Sequence, residues 1–233
     1  MRRLPVTIGV VIVVAIAVIV ALLERGAVTA PAPTSTAAAS TAPTGSAAAA
    51  LAGLAVKGRA PKTGYDRVGD FGQAWADVDR NGCDTRNDIL DRDLADVARA
   101  GSCKVLTGVL VSPYTGATIH FVRGAGTSEL VQIDHVVALS DAWQTGAQQL
   151  TPTKRRALAN DPLNLLAVDG RSNTQKSDAD AASWLPAQKS YRCAYVARQI
   201  AVKAKYTLWV TSAEKTAMLG VLSTCPGETL PVH

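Results

Sequence analysis

No two cysteines in this 233-residue chain form a C-x-x-C pair. That absence excludes zinc-ribbon and thioredoxin-type sites, which need closely spaced thiols. No segment repeats at a fixed period, so a solenoid is set aside. Aromatic residues are few, with 2 Phe, 5 Tyr and 4 Trp. Trp75, Trp143, Trp184 and Trp209 therefore read as core anchors rather than stacking platforms. Residues 27–56 hold neither a charge nor an aromatic side chain. Such a stretch cannot bury a core and reads as a disordered Ala/Thr/Pro-rich linker, in which Ala47–Val56 reaches at most marginal helicity.

The first 26 residues are different. Met1, Arg2 and Arg3 precede an uncharged run from Leu4 to Leu23, closed by Glu24 and Arg25. As a helix this run would span roughly 30 Å, the thickness of a bilayer core. It reads as a cleaved signal peptide or as a signal anchor that holds the chain to the membrane. Either route places the remainder outside the cytoplasm, secreted or anchored through residues 4–23.

The cysteine count agrees with export. Cys83, Cys103, Cys193 and Cys225 are an even set, and an oxidising compartment would pair them. Of three pairings, Cys83–Cys103 and Cys193–Cys225 are favoured because each closes a short local loop. The net charge is +5, but three of the 24 basic residues and one of the 19 acidic ones flank the apolar run. The 21 against 18 that remain are compatible with a polyanionic partner and do not establish one.

Residues 57–233 read as one α+β domain. Helical spacing covers Ile89 to Ala100, and Phe71 opens a short helix. Lys104 to Leu110 and Thr118 to Val122 read as a hairpin around the turn Ser112-Pro113-Tyr114-Thr115-Gly116. Leu130 to Val137 and Leu163 to Val168 are strands, the second followed by a turn at Asp169-Gly170. Further helices are Leu139 to Thr145, Thr151 to Ala159, one from Ser172, Tyr191 to Tyr206, and Thr211 to Leu222. Thr211 and Glu214 have capping-box spacing in the last of these.

The chemistry concentrates between residues 130 and 180. Asp134 and His135 stand side by side at the end of an apolar strand, where an uncompensated carboxylate is costly. Asn164 follows on a second strand, and Asn173, Lys176 and Asp178 on a helix. The order is strand, insertion, strand, helix, with a polar residue wherever these elements would converge.

This ordered set resembles the HNH (ββα-metal) nuclease family, on Asp134-His135, Asn164-Leu165 and Asn173-x-x-Lys176-x-Asp178. With Cys83-Asp84-Thr85-Arg86-Asn87, the wider chain is similar to exported actinobacterial HNH proteins. Those are related to the C-terminal domain of GmrSD-type restriction enzymes. The resemblance implies a ββα-metal motif embedded in helices and a small antiparallel sheet. It implies His135 as general base, at an ordinary imidazole pKa, with Asn164 orienting it. Asp134 and Asn173 would hold a divalent cation, Mg²⁺ or else Mn²⁺. Lys176, Arg171 or Arg86 would contact a substrate phosphate. The implied function is endonucleolytic cleavage of DNA, or of RNA, with little sequence preference. Nothing here resembles a sequence-reading module. His120, on the second hairpin strand, reads as structural or surface, and Asp178 and Asp180 as helix-surface charges. Two other functions share the pattern: a non-catalytic exported domain that binds nucleic acid or envelope components, and a hydrolase of a non-nucleic phosphodiester.

Overall fold

A computed structural model describes residues 45–231. The apolar run Leu4 to Leu23, expected to be a signal peptide or anchor, and most of the expected linker lie outside the described residues. Among the described residues no helix is long and apolar enough to cross a membrane.

Order begins earlier than composition suggests. Helix α1, Ala47–Gly53, starts at Ser46, whose hydroxyl accepts the Ala49 N–H. Ala47 and Leu51, one turn apart, are fully buried in a core shared with two C-terminal helices. Backbone bridges Ser46–Thr229 and Val56–Val210 fix both ends of the segment. The linker read over 27–56 therefore ends by residue 45, because one leucine on an alanine helix has a prepared apolar slot. Leu51→Ala should lower stability by about 2–5 kcal/mol in urea unfolding; an unchanged midpoint would mean that α1 is not part of the core.

Helix α2, Arg67–Phe71, is capped by Asp66 and ends, rather than begins, at Phe71, where Gly72 takes φ +81°. Helix α3, Thr85–Asp93, is capped by Asp84. The helix expected to reach Ala100 stops there, and Ala95–Ala100 is strand β1. Its register with the next strand is irregular, and Asp96 sits at φ +52°. An exposed segment with little apolar periodicity left the sheet edge, not its own pattern, to decide its state.

Strands β2 (Lys104–Val111) and β3 (Thr118–Val122) form the expected hairpin, giving a sheet ordered β1-β2-β3. A second, separate antiparallel pair joins β4 (Val131–His135) to β5 (Leu165–Asp169), with Asp134 opposite Leu166 and His135 opposite Leu165. Between them run α4 (Leu139–Gln144) and α5 (Pro152–Ala159), the latter with Thr151 as cap. Helix α6, Gly170–Lys176, follows β5 without an intervening turn, because Asp169 itself is the N-cap. Gly170 is required there: a Cβ would overlap the Glu129 carbonyl oxygen. Helices α7 (Arg192–Lys205) and α8 (Ser212–Leu222) complete the α+β fold.

The ββ pair is buried on both faces. Val131, Ile133, Leu165 and Ala167 pack with Ile89, Leu90 and Phe121, while Leu166 and Val168 pack with Tyr195, Ile200 and Met218. Disulfides join Cys83 to Cys103 and Cys193 to Cys225, as the short loops suggested. Both fit an oxidising compartment.

One buried ionic cluster ties α4, α7 and α8 together. Lys203, fully buried, lies 2.8 Å from Glu214 and 3.3 Å from Asp141. Arg59 lies 2.9 Å from both Asp141 and Asp180, so Asp180 is a buried ion-pair partner and not a surface charge. Three carboxyls face two cations. Burial, reinforced by Asp141 and opposed by Lys203, pushes Glu214 up to about 7 from an ordinary 4.5. The folded state then binds more protons than the unfolded one between those values. This group's stability is complete below pH 4.5 and is lost as pH rises through 7. Glu214→Gln keeps the capping geometry and should flatten that decline in urea titrations from pH 5 to 8.5. An identical slope in both proteins would mean that Glu214 does not cause the decline.

Candidate active site

A cleft of about 350 Å³ opens at the end of β4. Its lining combines Asp134 and His135 from β4, Asn173 from α6, Ser140 from α4, Ser177 and Asp178 just beyond α6, and Lys62, Tyr65 and Arg67 from upstream. The strand pair and α6 therefore bring the adjacent Asp134 and His135 together with Asn173, distant in sequence.

His135 is almost entirely buried, with its ring held at one edge. Nε2 lies 2.8 Å from the Ala159 carbonyl, which can only accept, so Nε2 carries the proton. Nδ1 keeps its lone pair and faces the Arg67 guanidinium at 3.5 Å. Burial first, then the charge of Arg67, lowers the ring to about 3. The ordinary imidazole value expected from sequence is thus corrected: the ring is neutral throughout the physiological range.

Asn164 is fully buried and sits where it can fix that geometry. Its Oδ1 accepts the Val137 N–H at 2.8 Å, and its Nδ2 donates to the carbonyls of Val137 and Leu158. The Leu158 contact immediately precedes the carbonyl that holds His135. Asn164 thus ties the loop after β4 to the end of α5.

Asp134 is 4% exposed and doubly bonded. Lys176 Nζ donates to Oδ1 at 3.0 Å and the Tyr114 hydroxyl donates to Oδ2 at 2.5 Å. Burial pushes the carboxyl above the usual range, and Lys176 and Tyr114 act against that. Lys176 also donates to the His135 carbonyl at 2.8 Å and is itself fully buried. A phosphate cannot reach it, which corrects its reading as a substrate contact. Tyr114, a residue in a hairpin turn, carries no local signal of its role. That turn is drawn inward by Ser112, whose hydroxyl donates to Asp169 at 2.8 Å.

The other basic candidates are also relocated. Arg86 spends its guanidinium on the carbonyls of Ser128 and Val131, bracing the entry to β4. Arg171 is exposed on α6 but does not line the cleft. His120 is exposed on β3, outside the cleft lining. Asp178, read as a surface charge, lines the cleft and accepts from Ser140 and Lys62, each at 3.0 Å.

A model of the GmrSD restriction endonucleases, C-terminal domain, matches residues 84–221. The chain belongs to this family. As a GmrSD C-terminal domain it carries a nuclease-type, HNH-like fold unit. An uncharacterized secreted protein of Arthroderma benhamiae is 42% identical over 177 residues, covering 75% of this chain and 82% of that protein. No solved structure matches the chain.

The HNH resemblance implies a divalent cation, and the cleft offers oxygen donors that could hold one. Asn173 donates through Nδ2 to Gln132 at 2.8 Å, which turns its Oδ1 free in the same cleft as Asp134. A carboxylate and an amide oxygen are hard donors suited to Mg²⁺ or Mn²⁺. Among the described residues the one close set of three acid, His or Cys groups is Cys193, Cys225 and Glu228, whose sulfurs are joined to each other.

Lys176→Met tests the corrected role. It would leave Asp134 buried without its cation and should cost about 3–5 kcal/mol of stability. A surface phosphate contact would instead weaken substrate binding and leave the unfolding midpoint unchanged.

Proposed function

We propose that this GmrSD C-terminal domain is an extracytoplasmic, metal-dependent endonuclease that hydrolyses phosphodiester bonds of DNA, or of RNA, with little sequence preference. The observation that carries it is the His135 ring, held through Nε2 by the Ala159 carbonyl and lining a cleft shared with Asp134 and Asn173. Export is supported by the two disulfides and by the secreted relative. An anchor through residues 4–23 is an alternative to release.

His135 Nδ1 accepts a proton from water as its oxygen attacks phosphorus, and the ester bond to the departing sugar oxygen breaks, that oxygen taking a proton from solvent. The Ala159 carbonyl holds the ring as charge develops on it, since an Nε2–H donor becomes stronger in the imidazolium. Asn164 keeps that carbonyl in place. Asp134 and Asn173 would hold the divalent cation, which when bound supplies positive charge beside the phosphate and the leaving oxygen. Lys176 and Tyr114 orient Asp134 without entering the cleft.

The full chain should nick plasmid DNA with Mg²⁺ or Mn²⁺ and not with EDTA. His135→Ala should lose about 10²–10⁴-fold in rate while remaining folded by circular dichroism. No cleavage of plasmid, single-stranded DNA or RNA with either metal would leave the non-catalytic or non-nucleic readings.

A further inference from the structure

The region that matches the family begins at residue 84, yet one wall of the cleft is built before it. Lys62, Tyr65 and Arg67 come from the connection between α1 and α2 and from the first turn of α2. We propose that Arg67 is the substrate-phosphate ligand of this active site, so that the upstream segment is part of the catalytic machinery. This rests on the nuclease reading above.

Arg67 stands out by what it is not bonded to. The other cations in and around the site are committed: Lys176 to Asp134, Lys62 to Asp178, Arg59 to Asp141 and Asp180, Arg155 to Asp70. Among the described residues Arg67 has no carboxylate within ion-pair distance. It is exposed, and its guanidinium meets the lone-pair edge of His135. A guanidinium that faces an imidazole nitrogen in an open cleft, with no carboxylate in ion-pair distance, has donors to spare. Asp134 is no exception: its bonds are to Lys176 and Tyr114, and it forms no ion pair with Arg67. A phosphodiester supplies the missing charge.

The geometry also fits. Arg67 Nη2 is 3.5 Å from His135 Nδ1. A phosphate oxygen bonded to the guanidinium at about 3 Å would bring phosphorus next to a water bonded to Nδ1. Arginine's fork can hold two phosphate oxygens and meet the charge that builds on them in the transition state. The position is held by local structure: Asp66 caps α2, and Phe71 at its end packs edge-on against Trp143, with ring centroids 6.4 Å apart. Arg67 and His135 also line a smaller cavity together with Phe71 and Trp75.

The test uses the full chain, a DNA duplex, and Arg67→Gln, Arg67→Lys and Arg99→Gln, the last an exposed arginine on β1. Arg67→Gln should unfold at the wild-type midpoint yet lose about 10²–10³-fold in kcat/KM, with kcat carrying most of the loss. Arg67→Lys should recover part of it, and Arg99→Gln should stay within about threefold of wild type. Duplex binding by the His135→Ala protein gives a second readout. Adding Arg67→Gln should flatten the slope of log K against log salt by about 0.9, one phosphate contact. Wild-type cleavage together with an undiminished Arg67→Gln rate or an unchanged salt slope overturns this proposal alone. Wild type that neither cleaves nor binds nucleic acid overturns the nuclease reading, and this proposal with it.

Discussion

The buried carboxylate of Asp134 is the constraint on which the rest of the site depends. Left alone at 4% exposure it would destabilise the fold by several kcal/mol. Three elements converge to prevent that: α6 delivers Lys176, the β2–β3 turn delivers Tyr114, and β4 holds the acid between them. The same lysine grips the His135 carbonyl, so the ion pair also sets where β4 ends and the cleft begins. The strand pair and its helix are thereby locked into one geometry. Gly170 adds to this, since the close approach of α6 to the Glu129 carbonyl permits no side chain.

A second set of bonds works on the histidine. Asn164 ties the loop after β4 to α5, and the neighbouring Ala159 carbonyl fixes the ring. Precision in this site therefore comes from residues that no substrate touches. The exposed cleft wall is arranged differently. There Lys62 comes from a short connection and Arg67 from the first turn of α2, a segment that α1 and Phe71 anchor to the core.

Much of this was legible in the sequence, and for a physical reason. An acid and a histidine in an apolar strand need compensation, so the pair marks a site by its residue types alone. The hairpin at Thr118–Val122, the Thr151 cap and the Thr211/Glu214 capping box were legible because turn and cap chemistry is local. Long-range facts were not. Lys176 carries the same letter whether it meets a phosphate or a buried aspartate, and only the depth of α6 distinguishes them. The buried role of Leu51 depends on a slot formed about 150 residues later by Val196, Ile200 and Met218. The segment Ala95–Ala100 has too little apolar periodicity to favour helix or strand and takes its state from the neighbouring edge of β2. Arg67 carries no local signal, since its meaning comes from facing His135 and from lacking an acid.

The proposed chemistry requires a His135 ring protonated at Nε2, with Nδ1 as the acceptor. Nitrogen-15 NMR of imidazole-labelled protein reads both nitrogens directly. The expected result is a protonated Nε2 and a bare Nδ1 at neutral pH, unchanged on acidification to pH 5, far above the value of about 3 to which burial and Arg67 lower the ring. An Nδ1-protonated tautomer, or an imidazolium at pH 7, would contradict it.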